Sequence, residues 1–239
     1  MVFGLSKQKA GVSWGKPLAI LCALIALIGA LAHIFKGGSA ETDAIVATEM
    51  QYLQVSTEKL GQYLAEKYPG SKALVIQDPA TSYNQERKQA LMSGLKNGFG
   101  EQIEVVAEES PEVPADAQAM TEGGEGEDMM PPMEYWLTPD VFDEMIEKHA
   151  DQVDLVVTMI GLPSNPGRME FWRMDDRPEL AMATGSVYEL KTAIAKGMIA
   201  AAVAYNPKAV YDSEKPPSDL DEAFKKRFIL ITPENVQQV

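Results

Sequence analysis

Three observations predict an α/β fold with a mainly parallel sheet. Short apolar runs alternate with segments of helical periodicity, the runs are apolar at consecutive positions, and glycine, proline or acidic turn residues stand between them. Strands apolar throughout are buried on both faces, which requires helices on each side of the sheet.

The elements follow in order. Residues 73–77 (ALVIQ) read as the first buried strand. Residues 83–97 read as a helix with Leu91 and Leu95 on one face and Gly98 as its stop, and residues 103–107 (IEVVA) as the second strand. Residues 139–150 form a helix with Val141, Phe142, Met145 and Ile146 on its apolar face, leading into the most hydrophobic strand, 153–160 (VDLVVTMI). A strand at 180–183, a helix at 187–196 with Gly197 beyond its end, and strands at 199–205 and 228–231 complete the series. The expected architecture is a three-layer, Rossmann-like or flavodoxin-like sandwich of five or six strands.

Other segments precede this domain, residues 71–239. Residues 18–35 (LAILCALIALIGALAHIF) carry no formal charge, and as a helix they span roughly 27 Å, enough to cross a bilayer. Lys7, Lys9 and Lys16 come before the run and acidic residues after it. That asymmetry predicts a cytoplasmic tail at 1–16, one transmembrane helix at 17–36 and an extracytoplasmic (periplasmic) remainder held at the cell membrane. A cleaved signal peptide ending near Gly38-Ser39-Ala40 is the rival reading, disfavoured because its apolar core is usually shorter. Cys22 and His33 read as apolar filler and a neutral imidazole in this run. Residues 37–70 hold a linker and an amphipathic helix whose Val46, Met50, Leu53, Thr57, Leu60 and Leu64 repeat at heptad spacing. Such a helix either pairs with a second copy as a stalk or packs on its own domain.

Charge narrows the function. Of 35 acidic and 21 basic residues, only three lysines lie before residue 36, so the rest is strongly acidic. Such a surface repels nucleic-acid phosphates and anionic lipid headgroups. The single cysteine excludes an internal disulfide framework. Residues 109–133 hold seven acids, four prolines and three glycines with no basic residue, and read as an exposed, mobile insertion. Their acidic spacing is not that of an EF-hand loop. Residues 208–226 read as a second long connection.

Ligands of open α/β sheets bind at the carboxyl ends of the strands. Those tips are Gln77-Asp78-Pro79, Gly161-Leu162-Pro163, Thr184-Gly185-Ser186 and Tyr205-Asn206-Pro207. Asp78, Ser82, Thr184, Ser186, Tyr205 and Asn206 are the candidate ligand-binding residues. Neither GxGxxG nor GxxxxGK[ST] occurs, which argues against dinucleotide and nucleoside-triphosphate chemistry. Asp78 is the leading residue for a carboxylate-based enzyme, but Asp78-Pro79 is also a good turn. Ser186 and Glu189 have the spacing of a capping box, while Thr138-Pro139-Asp140 and Thr232-Pro233-Glu234 read as capped helix starts. With only His33 and His149, no catalytic triad or histidine-rich metal site is expected, and no cofactor. His149 reads as a surface residue at a helix end. Arg168, Trp172 and Arg173 form a basic and aromatic cluster: either a clamp for an anionic or carbohydrate ligand, or a packed segment with its arginines paired to Asp175 and Asp176.

The element order, the strand VDLVVTMIGLP, the segment ELKTAIAKGMIAAAVAYNP and the terminal FILITPENV, with Thr232, Pro233, Glu234, Asn235 and Val236, resemble sugar-type (type I) periplasmic binding proteins. The resemblance covers residues 72–107 and 139–239 and implies one lobe of that fold. Those proteins close two lobes around a ligand, whereas this chain has residues for one, so the resemblance implies either that a second copy or another protein supplies the facing wall, or that the lobe has become a scaffold. Two functions follow as expectations. The first is a non-catalytic, single-pass envelope protein whose domain is an interaction or assembly module for a protein partner or a second copy. The alternative is a binding module for a sugar or other small polar ligand.

Overall fold

A computed structural model describes residues 42–79, 85–115, 132–209 and 211–239. The expected tail and membrane segment (1–36), Ser82 and most of the acidic insertion (116–131) lie outside the described residues. Among the described residues no helix is long and apolar enough to cross a membrane. The chain divides into two compact units, Met1–Ala47 and Thr48–Val239. Of the first, residues 42–47 are helical and exposed.

Six strands form one sheet: β1 (Lys72–Ile76), β2 (Glu104–Glu109), β3 (Leu155–Thr158), β4 (Glu179–Met182), β5 (Ala201–Tyr205) and β6 (Phe228–Ile231). Their order is β2-β1-β3-β4-β5-β6. The first five are parallel and β6 runs antiparallel beside β5. The expected α/β sandwich with a mainly parallel sheet is therefore observed.

The helices are α1 (42–67), α2 (Gln85–Phe99), α3 (Pro139–Glu147), α4 (Lys191–Ala195) and α5 (Leu220–Arg227). The two-residue period of the strands sorts their side chains between two cores. Leu74, Ile76, Val156, Leu180, Met182 and Ala202 meet Phe142, Met145 and Ile146 of α3 and Ile194 of α4. On the opposite face Ala73, Val75, Leu155, Val157 and Ala181 meet Tyr52, Leu60 and Leu64 of α1, Leu91 and Leu95 of α2, and Phe224 of α5.

Residues 48–67 of α1 therefore pack on the sheet of their own chain. Tyr52, Ser56, Thr57, Leu60 and Leu64 form the buried face, while the expected seam residue Leu53 is half-buried. Thr57, a weak point in an apolar seam, faces another helix at close range. A Cβ added to Gly94 of α2 would lie 2.3 Å from the Thr57 hydroxyl and 2.1 Å from the Gln54 carbonyl. A Cβ on Gly98 would lie 2.2 Å from the Glu58 carbonyl. Gly98 is thus an interior contact of α2, not its stop. The helix runs to Phe99, and Gly100, at φ +53°, turns the chain.

Four further differences have local causes. The pairing of β2 with β1 slips between Ala73 and Leu74, and β2 extends to Glu109, so the acidic insertion begins later than expected. Residues 187–196 split into a 3-10 turn, Val187–Leu190, and the short α4. The expected connection at 208–226 contains α5, whose Asp219 caps it by accepting from Glu222 N at 2.8 Å. Thr138 caps α3 as expected, accepting from Val141 N at 3.3 Å. Thr232-Pro233-Glu234, by contrast, starts no α-helix. Asn235 accepts from Thr232 N and closes a turn into the 3-10 segment Val236–Gln238.

Candidate functional site

The carboxyl ends of β3 and β4 stop in tight turns whose backbones nearly touch. Thr158, fully buried, donates its hydroxyl to the Gly161 carbonyl at 2.7 Å and accepts from Ile160 N at 3.3 Å, which folds the β3 tip over itself. Gly161 (φ +86°) and Gly185 (φ +126°) then lie against one another, and a Cβ on Gly185 would stand 3.1 Å from Gly161 Cα. Both the left-handed backbone and the close approach require glycine. The two glycines make a flat floor with no side chain rising from it.

Three depressions run along this edge of the sheet. The central one, about 390 Å³, is bounded by Gly161, Ser164, Pro166, Gly185, Ser186 and Glu189. On the β5 side it meets a small hollow of about 20 Å³ at Gly185, where Leu53, Thr184, Tyr205 and Phe228 form the wall. On the α3 side it meets a groove of about 340 Å³ at Ser164, lined also by Glu134, Thr138, Asp140, Asn165 and Arg168. The central depression and the groove, which share Ser164, form one trough, hydroxyl-lined at one end and charged at the other; the small hollow shares only Gly185 with it and opens among residues of the core on the α1 face.

The loop shaping the trough, residues 161–173, is fastened from below. Asp143, buried on α3, accepts from Glu170 N at 2.7 Å and Phe171 N at 3.1 Å. The Trp172 indole donates to the Pro166 carbonyl at 2.6 Å, and Phe171 is buried in the core with its ring 5.0 Å from that of Trp172. Arg177 lies over both rings and donates to the Met198 and Gly197 carbonyls. The cluster read as a clamp or a packed segment is mostly packed. Arg173 pairs with Glu170 rather than Asp175 or Asp176, and Arg168 alone lines the trough.

The structure spreads the candidate residues along the tips. Ser186 lines the central depression. Its capping box does not form: Ser186 makes no side-chain cap bond, because residues 187–190 make a 3-10 turn in place of an α-helical first turn. Among the described residues the side chains of Ser164, Ser186 and Glu189 have no hydrogen-bond partner, so their polar atoms face the trough or solvent. Thr184 borders the small hollow and donates to the Met159 carbonyl at 2.8 Å. Tyr205 stands 55% exposed at the end of β5, packed beside Phe228 and Tyr211, while its carbonyl accepts from the Tyr188 hydroxyl at 2.8 Å.

Asp78 and Asn206 are engaged elsewhere. Asp78 is ion-paired with Arg87. Asn206 donates to the Lys225 carbonyl and accepts from Lys208 N in a turn. Beside Asp78, Gln77 donates to Glu108 at 2.7 Å; that bond and Lys96 hold the Glu108 carboxyl below its ordinary range although burial pushes the other way. His149 is half-buried and lies 2.8 Å from Glu109, joining the end of α3 to the end of β2 rather than standing free. The sequence reading named the Gly161-Leu162-Pro163 tip but missed Ser164, Glu189 and the anchor Asp143. The signal for Asp143 was a carboxylate between Phe142 and Met145 on an apolar helix face. Among the described residues no cluster of three or more histidine, cysteine or acidic residues has metal-binding geometry.

No protein-family model matches the chain, and no curated protein does. Solved structures similar to it include the Caulobacter myo-inositol binding protein bound to myo-inositol (14% identity, TM-score 0.46, 78% of this chain and 60% of that one). Also similar are AraP, an arabinose binding protein from Geobacillus stearothermophilus (14%, 0.44, 78% and 62%), and an ABC transporter solute binding protein from Bradyrhizobium sp. BTAi1 (14%, 0.45, 79% and 53%). This chain spans 53–62% of the length of these three proteins.

Proposed function

We propose that this chain is a non-catalytic binding module that holds a small polar solute in the trough along its strand tips. The observation that carries the reading is the central depression. Two glycines form its floor, and Ser164, Ser186 and Glu189 present two hydroxyls and a carboxylate with no partner among the described residues. A ligand rich in hydroxyl or amino groups satisfies these atoms at once and excludes water from the glycine floor.

The described residues give the trough a floor and walls but no roof, so tight capture calls for a facing surface. A second copy of the chain or another envelope protein would supply it, and that requirement is where the expected assembly role enters. The apolar run at 18–35 and the lysines before it support a membrane tether with the domain on the extracytoplasmic side.

The test is thermal unfolding of the full chain in mild detergent, followed by tryptophan fluorescence, against neutral sugars, polyols and amino acids. Ligand at a hundredfold excess over Kd stabilises by about 2.7 kcal/mol, which raises Tm by roughly 5–10 °C for a domain of this size. Ser186→Ala and Ser164→Ala should each weaken the binding several-fold, since each removes one hydrogen bond. Flat traces across the whole set would end the reading.

A further inference from the structure

The groove beside Ser164 holds an arginine unlike the other four among the described residues. The described residues include five arginines. Arg87 is paired with Asp78, Arg173 with Glu170 and Arg227 with Glu49, and Arg177 is bonded to two carbonyls and stacked on two rings. Arg168 alone forms neither an ion pair nor a side-chain hydrogen bond among the described residues. It nevertheless shares one groove of about 340 Å³ with two carboxylates, Glu134 and Asp140, that are also unpaired. In so acidic a chain an unpaired guanidinium beside two free carboxylates would ordinarily swing into contact with one of them. Here the wall between is fixed. Arg168 ends a 3-10 turn held by the Trp172–Pro166 bond, Asp143 fastens the next turn at Glu170 and Phe171, Asp140 sits in the first turn of α3 and Glu134 in a separate 3-10 turn.

We propose that this groove receives the ionic head of a zwitterionic solute, an α-amino acid or a close relative. Its carboxylate meets Arg168 and its ammonium meets Asp140 and Glu134, while the remainder of the molecule extends past Ser164 into the central depression. The pattern of charge decides the class. A purely anionic ligand would satisfy Arg168 but confront two carboxylates, and a neutral sugar would leave all three charges unpaired. A ligand with both signs close together pairs every one of them. The arginine also suits the task geometrically, since its planar fork matches a carboxylate with two parallel hydrogen bonds.

The inference rests on the trough being a binding site, and the experiment separates the two. The full chain in mild detergent is titrated by calorimetry with free amino acids, with the same compounds blocked as N-acetyl or carboxamide derivatives, and with neutral sugars. The expected result is binding of a free amino acid that weakens tenfold or more when either end is blocked. Arg168→Gln should cost a similar factor for the free acid and leave the affinity of the carboxamide unchanged; Asp140→Asn and Glu134→Gln together should do the converse for the N-acetyl compound. Increasing salt should weaken the free acid more than either singly blocked form, since each of those keeps one of the two ionic contacts. If sugars bind, and bind equally well to Arg168→Gln, the trough stands as a binding site and the zwitterion assignment falls. If neither amino acids nor sugars bind, both fall.

Discussion

Arg227 shows how far one residue is committed to structure rather than to a ligand. Its side chain is 1% exposed, its guanidinium lies 3.5 Å from the centre of the Tyr52 ring, and its nitrogens reach Glu49 at 2.6 Å and the Asp212 carbonyl at 2.8 Å. Next to it Lys226 bonds Asp212 and Glu214, which drives the Asp212 carboxyl below its usual range. The cation therefore ties α1, α5 and the loop at 212 together at one point beneath β6. Removing it leaves the Tyr52 face and the Asp212 carbonyl without their partner in the interior. Arg227→Ala should destabilise the fold by about 3 kcal/mol, in the range for a broken buried charge network. Arg227→Lys should recover little, because a point charge cannot cover the ring and fork to two acceptors. Glu49→Gln should cost under about 1 kcal/mol, since that carboxylate is partly solvated. Urea unfolding of the three variants provides the ranking; a lysine variant as stable as the parent would contradict the stacking argument.

At the scale of elements, the crossing of α1 and α2 is the tightest contact. Gly94 and Gly98 lie one turn apart on α2, and Gly61 of α1 faces Gly98, so the two backbones approach where any side chain would intrude. Gly98→Ala places a methyl 2.2 Å from a backbone carbonyl that cannot move without moving its helix, so the gain in helix propensity is overwhelmed. A loss of about 3 kcal/mol is expected, against a gain for Gly70→Ala only if its left-handed backbone were unstrained, which at φ +84° it is not. Thermal unfolding of Gly98→Ala checks this, and a Tm unchanged or raised would mean the helices separate without cost.

The same crossing explains what the sequence could and could not reveal. The strands were legible because burial on both faces demands unbroken apolar runs, and the α3 cap because Thr138-Pro139-Asp140 is a local device. Gly98 was read as a stop because its true reason, a carbonyl of another helix, is not local. Helix α5 was hidden because its buried stripe is only Ala223, Phe224 and Arg227, one of them a charge. In the site, the Gly161 tip was visible as turn chemistry. The availability of Ser164, Ser186 and Glu189 was not, because it depends on a capping box failing to form and on a loop pinned from below by Asp143.

For the whole molecule, the question is whether α1 is a stalk set before the domain or part of its core. Residues 48–67 contribute Tyr52, Leu60 and Leu64, all at most 1% exposed, to the core on one sheet face. Each such side chain is worth about 2 kcal/mol of burial, so the three together rival the 5–15 kcal/mol that separates most folded domains from their unfolded state. The far end of the helix is fastened too. Lys67 pairs with Glu234 at 3.0 Å, and the Thr232 hydroxyl with Lys67 holds the Glu234 carboxyl down to about 2. Tyr68, whose hydroxyl is pushed up to about 12 by burial and by Glu179, closes the same corner against β4. A fragment beginning at Thr48 should therefore unfold in one cooperative transition with the heat capacity of a packed domain. One beginning at Lys72 keeps all six strands and should nevertheless bind hydrophobic dye and melt without cooperativity, because the sheet face between α2 and α5 is stripped. Calorimetry of the two fragments decides it. A cooperative Lys72 fragment with an unchanged midpoint would show α1 to be a separable stalk, and the heptad seam would then have to find its partner in a second chain.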